Sequence, residues 1–163
     1  MKRIMLFACL VSCSIPSFAA IYCDGQIKHQ TIRNDIKIKK NCLLEGLIIH
    51  GDVILQNGSS LELKDNHLNG NIEAANNFSK IIAQHNHISG DANFIQGKNI
   101  QLRHNQITGD LKLNKNSGNI AIMDNEIAGN LICAENTFTM NGVTTIYICG
   151  LFIVFILNQL AYL

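Results

Sequence analysis

The chain contains no tryptophan, and its single proline, Pro16, lies within the first twenty residues. Its charges nearly cancel, with 13 lysines and arginines against 12 aspartates and glutamates. That balance leaves no global field to steer the protein toward nucleic acid or an acidic partner, so any charge-based function must be local. With proline absent from the middle, direction changes fall to glycine and asparagine, a composition of many tight corners rather than helices. There is no Ser/His/Asp constellation, no phosphate loop and no glycine-rich nucleotide motif. A nucleotide or other cofactor is therefore not expected, and neither is nucleic acid.

The two ends read differently from the middle. Lys2 and Arg3, the apolar run Ile4 to Val11, and the small-x-small site Ser17-Phe18-Ala19 form a signal peptide over residues 1–19. Leu10-Val11-Ser12-Cys13 offers a second processing route, with Cys13 lipidated. Either route exports the chain, placing Cys23, Cys42, Cys133 and Cys149 where disulfides persist. A Cys23–Cys42 bridge is expected from export and a 19-residue separation. At the other end, residues 145–163 form a hydrophobic tail. Its 18 residues from Ile146 would span roughly 27 Å as a helix, near the hydrocarbon thickness of a bilayer. A transmembrane anchor is one reading; the rival is an apolar cap on the last coil, with Cys149 paired to Cys133.

Between the ends the sequence repeats. LELKDNHLNGNIEA from Leu61, IIAQHNHISGDANF from Ile81, IQLRHNQITGDLKL from Ile100 and IAIMDNEIAGNLIC from Ile120 align, their starts separated by 20, 19 and 20 residues. A degenerate unit ending at Gly51-Asp52-Val53-Ile54-Leu55 precedes them. Apolar residues occupy positions one, three, eight, twelve and fourteen, a spacing by two that makes short strands with one face inward. Position six is always Asn (Asn66, Asn86, Asn105, Asn125) and position ten always Gly (Gly70, Gly90, Gly109, Gly129). Both types tolerate positive φ and are read as corners. Stacking the coils sets each Asn above the next at about 4.8 Å, in a side-chain ladder that holds the register.

These features predict an all-β, right-handed parallel β-helix of about five coils of 19–20 residues. The expected divisions are an N-terminal cap (20–42), coils (43–136), a linker (137–144) and the tail. The last coil, with Ile127, Gly129, Asn130, Leu131, Cys133 and Asn136, resembles small exported bacterial right-handed β-helix proteins whose pattern there is I-x-G-N-L-x-C-x-x-N. The resemblance covers about residues 42 to 136 and implies the coil, not an activity. A weaker likeness is to bactofilins, which polymerise short β-helices end to end.

Positions five and seven flank the corner Asn and face solvent. They stack as Asp65, His85, His104, Asp124 and as His67, His87, Gln106, Glu126, uniting four of the six histidines. Imidazoles at this spacing, with Asp65 and Asp124, are candidate ligands for Zn²⁺ or Cu²⁺; the alternative is a polar corner. Position eleven stacks Asp91 over Asp110, a carboxylate pair that a cation such as Ca²⁺ or backbone N–H groups would relieve. Lys28, Arg33, Lys37, Lys39 and Lys40 make the segment before the coils basic, either toward anionic envelope lipid or glycan or as the solvated face of a strand. The expectation is a monomeric, non-enzymatic structural or binding module of the cell envelope, periplasmic or at the surface, contacting glycan, protein or, through its tail, membrane. A glycan-active β-helix enzyme and a self-assembling scaffold are the alternatives.

Overall fold

The computed structural model describes residues 19–140 except Asn76, and 143–147; for 138–140 and 143–147 the backbone alone is described. Nineteen strands succeed one another without a helix among the described residues. They are β1 (Ile21–Lys28), β2 (Thr31–Ile32), β3 (Ile36–Glu45), β4 (Ile48–Ile49), β5 (Val53–Leu55), β6 (Ser60–Lys64) and β7 (His67–Leu68). Then come β8 (Ile72–Ala74), β9 (Lys80–Gln84), β10 (His87–Ile88), β11 (Ala92–Ile95), β12 (Lys98–Arg103) and β13 (Gln106–Ile107). The remainder are β14 (Leu111–Asn114), β15 (Ser117–Met123), β16 (Glu126–Ile127), β17 (Leu131–Ala134), β18 (Asn136–Met140) and β19 (Val143–Tyr147).

Every third strand stacks on its equivalent one turn away, and all pairings are parallel except β18 with β19. One face carries β5, β8, β11, β14 and β17; the second carries β6, β9, β12 and β15; the third is a six-stranded sheet ordered β16-β13-β10-β7-β4-β2. One short strand of that third sheet per turn makes a parallel β-solenoid of about 6 turns. This is one turn more than the spacing of the repeats suggests. The added turn comes from the basic segment read as a cap: β1 lies parallel to β3, and Thr31–Ile32 pairs with Ile48–Ile49. Cys23, Ile32, Ile36 and Ile38 are buried, so alternation with lysine turns the charges outward and joins this segment to the core. Strand β3 runs through a corner, pairing with β5 at Ile36–Ile38 and with β6 at Asn41–Glu45.

The core is a set of vertical columns, among them Val53, Ile72, Ala92 and Leu111, then Leu63, Ala83 and Leu102, then Leu68, Ile88 and Ile107, all buried. Each buried aliphatic contributes roughly 1.5–3 kcal/mol, but only against its neighbours along the stack. The corners work differently from the expectation. At this corner left-handed backbone falls not on the position-six Asn or position-ten Gly but on position five: Asp65, His85, His104 and Asp124 have φ of 53° to 56°. Asn and Asp, with His, tolerate this region better than other side chains. The turn at position five throws the following Asn inward, where Asn66, Asn86 and Asn105 are buried. Gly70, Gly90, Gly109 and Gly129 are required instead by close stacking, since a Cβ at each would lie closer than 3.0 Å to the glycine carbonyl one turn before.

Inside the corner the amides form a ladder. Asn66 Nδ2 donates to Asn86 Oδ1 (2.9 Å), Asn86 to Asn105 (2.9 Å) and Asn105 to Asn125 (2.8 Å). The same oxygens accept the backbone N–H of the residue before them in the stack, as in Asn86 N to Asn105 Oδ1 (3.0 Å). Cys23 and Cys42 are bridged, tying β1 to β3 across the first turn. Residues 137–144, read as a linker, instead belong largely to the antiparallel pair β18 and β19, which also takes in the start of the tail. Among the described residues no helix is long and apolar enough to cross a membrane; residues 1–18 and 148–163 lie outside them.

Candidate functional site

Strands β7, β10, β13 and β16 are two residues long, so positions five and seven sit on either side of one corner and form two parallel columns. Between them lies an open groove of about 410 Å³ lined by His85, Asn86, His87, His104, Asn105, Gln106, Asp124 and Glu126. In the first column the His85 and His104 rings stack with centroids 5.2 Å apart and planes within 8°. Carboxylates close both ends, with Asp65 Oδ1 3.8 Å from His85 Nδ1 and Asp124 Oδ2 3.9 Å from His104 Nε2. These are exposed charge contacts beyond hydrogen-bond length, worth little to stability.

The second column is bonded end to end. His67 stacks on His87 at 4.7 Å and 5°. His87 Nδ1 meets Gln106 Oε1 at 2.8 Å, and Gln106 Nε2 donates to Glu126 Oε2 at 2.8 Å. The Glu126 carboxylate accepts only, which orients the Gln106 amide; its oxygen therefore faces His87, whose Nδ1 must carry the proton. That leaves His87 Nε2 as the ring nitrogen not used in the relay. The sequence placed these residues in one column but held no sign of the relay, because the χ angles that close it depend on packing at the corner.

The two columns differ in what the backbone demands of them. Position five needs a residue that accepts left-handed φ, which favours Asp and His over most other side chains. Position seven lies in a strand and makes no such demand, so its histidines, Gln106 and Glu126 are the more informative set. Among the described residues no three His, Cys, Asp or Glu side chains are placed to hold a metal ion, the group of His67, His85, His87, His104, Asp65 and Asp124 included.

The carboxylates at position eleven meet backbone amides. Asp110 N donates to Asp91 Oδ1 (2.8 Å), and Asn130 N and Nδ2 donate to Asp110 Oδ1 (2.8 and 3.0 Å). The rail continues through Asn71 and Asp52 to Asp35. The backbone N–H of Asn130, then its side-chain amide, hold the Asp110 carboxyl below its ordinary value. Of the basic residues near the start, Lys28 pairs with Glu45 at 2.8 Å, Lys40 with Asp24 at 3.5 Å, and Lys39 lies 3.9 Å over the Tyr22 ring. Much of that charge is thus engaged within the first turns.

A second asparagine ladder was missed. Asn116 and Asn136 are buried at the corner between the first and second faces, Asn116 Nδ2 donating to Asn136 Oδ1 (3.0 Å) and to Phe94 O (2.7 Å). Its signal is the spacing Leu113-x-x-Asn116 and Cys133-x-x-Asn136, the same as Leu63-x-x-Asn66. Two turns earlier Phe78 fills the position, and Gly97 above it leaves room for the ring.

No protein-family model, curated protein or solved structure matches the chain.

Proposed function

We propose that this protein is an exported, non-enzymatic binding module of the bacterial cell envelope that holds a glycan along the groove between its two columns. The observation that carries the reading is the His87–Gln106–Glu126 relay at positions where the fold imposes no choice of residue. It fixes alternating donors and acceptors at the inter-strand spacing, a pattern suited to the hydroxyls of an extended sugar chain. Preorganisation lowers the ordering cost of binding. The buried-edge disulfide between Cys23 and Cys42 supports an oxidising, exported location.

The test is titration calorimetry of the mature protein with soluble peptidoglycan fragments, alongside His87→Ala and Gln106→Ala, with His50→Ala outside the groove as control. Binding that falls at least tenfold in both groove variants and persists in the control is expected, with no new reducing ends. Unchanged affinity in the groove variants, or no heat at all, would remove the glycan reading. Release of new reducing ends would make the protein an enzyme instead.

A further inference from the structure

The third face differs from the other two in its charges. Residues 46–51, 65–70, 85–90, 104–109 and 124–129 make up five of its strands and their two corners, and they contain no lysine or arginine. Their basic groups are His50, His67, His85, His87 and His104, five of the chain's six histidines. Asp65, Asp124 and Glu126 supply the carboxylates. The face is therefore negative while its imidazoles are neutral and turns positive when they are charged, a change that imidazole makes between about pH 8 and 5.

The carboxylates do not serve the histidines equally. Asp65 and Asp124 close the ends of the His85–His104 column at 3.8 and 3.9 Å, so protonation there makes internal ion pairs. Glu126 is engaged by Gln106 Nε2. In the other column His67 and His87 stack at 4.7 Å with planes within 5°, and no described carboxylate pairs with either ring. Ile48, 46% exposed, stands next to His67 along the ladder. His87 already donates its Nδ1–H to Gln106, so a second proton enters at Nε2 and leaves the relay as it is. Around the pair stand Asp65 and His85 across the corner and His50 on the far side of the short strands. Lys64 and Arg103 lie at the adjoining edge of the second face, Lys64 drawn to Glu45 at 3.7 Å. Asp91 and Asp110 lie beyond the glycine corner, each accepting a backbone N–H.

We propose that the His67–His87 pair is an acid-dependent subsite for a carboxylate carried by the bound sugar chain, an inference that rests on the glycan reading of the groove. The pair adjoins the groove at His87 and extends it by one turn toward Ile48. With neutral rings it is an apolar stacking surface on a negative face, which an anion avoids. With both rings charged, two like charges 4.7 Å apart are relieved by an anion that bridges them. Proton uptake and carboxylate binding then favour each other by the same factor. Affinity accordingly rises as pH falls through the imidazole range and is lost as pH rises through it.

Calorimetric titration of the full-length mature protein at about pH 5 and about pH 7.5 tests this, because imidazole changes charge between the two while carboxylates of ordinary value near 4 stay ionised. The probes are soluble peptidoglycan fragments with their carboxylates intact or converted to amides. Intact fragments are expected to bind at least tenfold more tightly at the lower pH, and amidated ones equally at both. His67→Gln, its fold checked by circular dichroism, is expected to lose that gain, and His50→Gln, outside the pair, to keep it. A gain that persists in His67→Gln, or that the amidated fragments share, would overturn the subsite. Equal or weaker binding of intact fragments at the lower pH would also overturn it and leave the glycan reading standing, whereas no binding of either fragment at either pH would remove both.

Discussion

Asn105 shows how one side chain serves two turns. Its Oδ1 accepts from Asn86 N and Nδ2, and its Nδ2 donates to Ala83 O, all three buried, and to the part-buried Asn125 Oδ1. Asn105→Ala strands buried backbone groups that water cannot reach, so urea denaturation should show a loss of about 3 kcal/mol. Loss below about 0.5 kcal/mol would mean that the ladder is ornamental. Acid acts on different residues. Asp110 is held below its ordinary value of 3.8 chiefly by the Asn130 N–H, and Glu45 below 4.5 chiefly by the Lys28 ammonium. A carboxyl with a lowered folded value stabilises the fold above its unfolded value and loses that contribution as pH falls through the folded one. Melting temperature should thus decline below about pH 4, and Asp110→Asn, which keeps an acceptor oxygen but cannot titrate, should flatten the decline. At this scale the types of residue at each position were legible in the sequence, but their conformations were not. Asn and Gly share a tolerance for positive φ, and nothing in the repeat distinguishes an Asn turned inward by its predecessor from an Asn that is itself the corner.

Strands read well because their inward residues alternate with polar ones over four repeats. They read less well where one strand serves two faces. In β3 the run Ile36 to Glu45 holds two strands' worth of pairing; Ile36-Lys37-Ile38-Lys39 reads as a strand with its charges outward, but as part of a cap rather than of a further turn. The bridge between Cys23 and Cys42 fastens β1 to that strand at the end of the described stack, where among the described residues no turn precedes it. Replacing both with serine opens a closure of 19 residues and should cost about 3 kcal/mol by urea denaturation. The variant is preferable to a reductant, which would also open the bond at Cys133. Unfolding should begin at β1 and β2, visible as early amide exchange there while β9 to β14 stay protected. Uniform loss of protection would instead mean that the turns unfold as one unit.

For the whole molecule, register is the organising quantity. Three rails of side-chain bonds run along the stack: the buried amides from Asn66 to Asn125, the pair Asn116 and Asn136, and the Asp and Asn residues from Asp35 to Asn130. Each rung bonds only to the next, so the groove columns are held in line by the same contacts that hold the core. The architecture was legible because a period of 19–20 residues survives in the sequence; the extra first turn was not, because Gln30 stands where later turns carry Asn. If the turns are interchangeable units, one can be removed in register. Deleting Asn105 to Asp124, which joins His104 to Asn125, excises one turn of 20 residues and the rung formed by Gln106. Far-UV circular dichroism with urea denaturation of this shortened protein is the most direct test of the account. It should remain folded, with an undiminished β signal per residue and a cooperative transition at lower urea. A disordered spectrum without a transition would contradict a solenoid built from stacked, interchangeable turns.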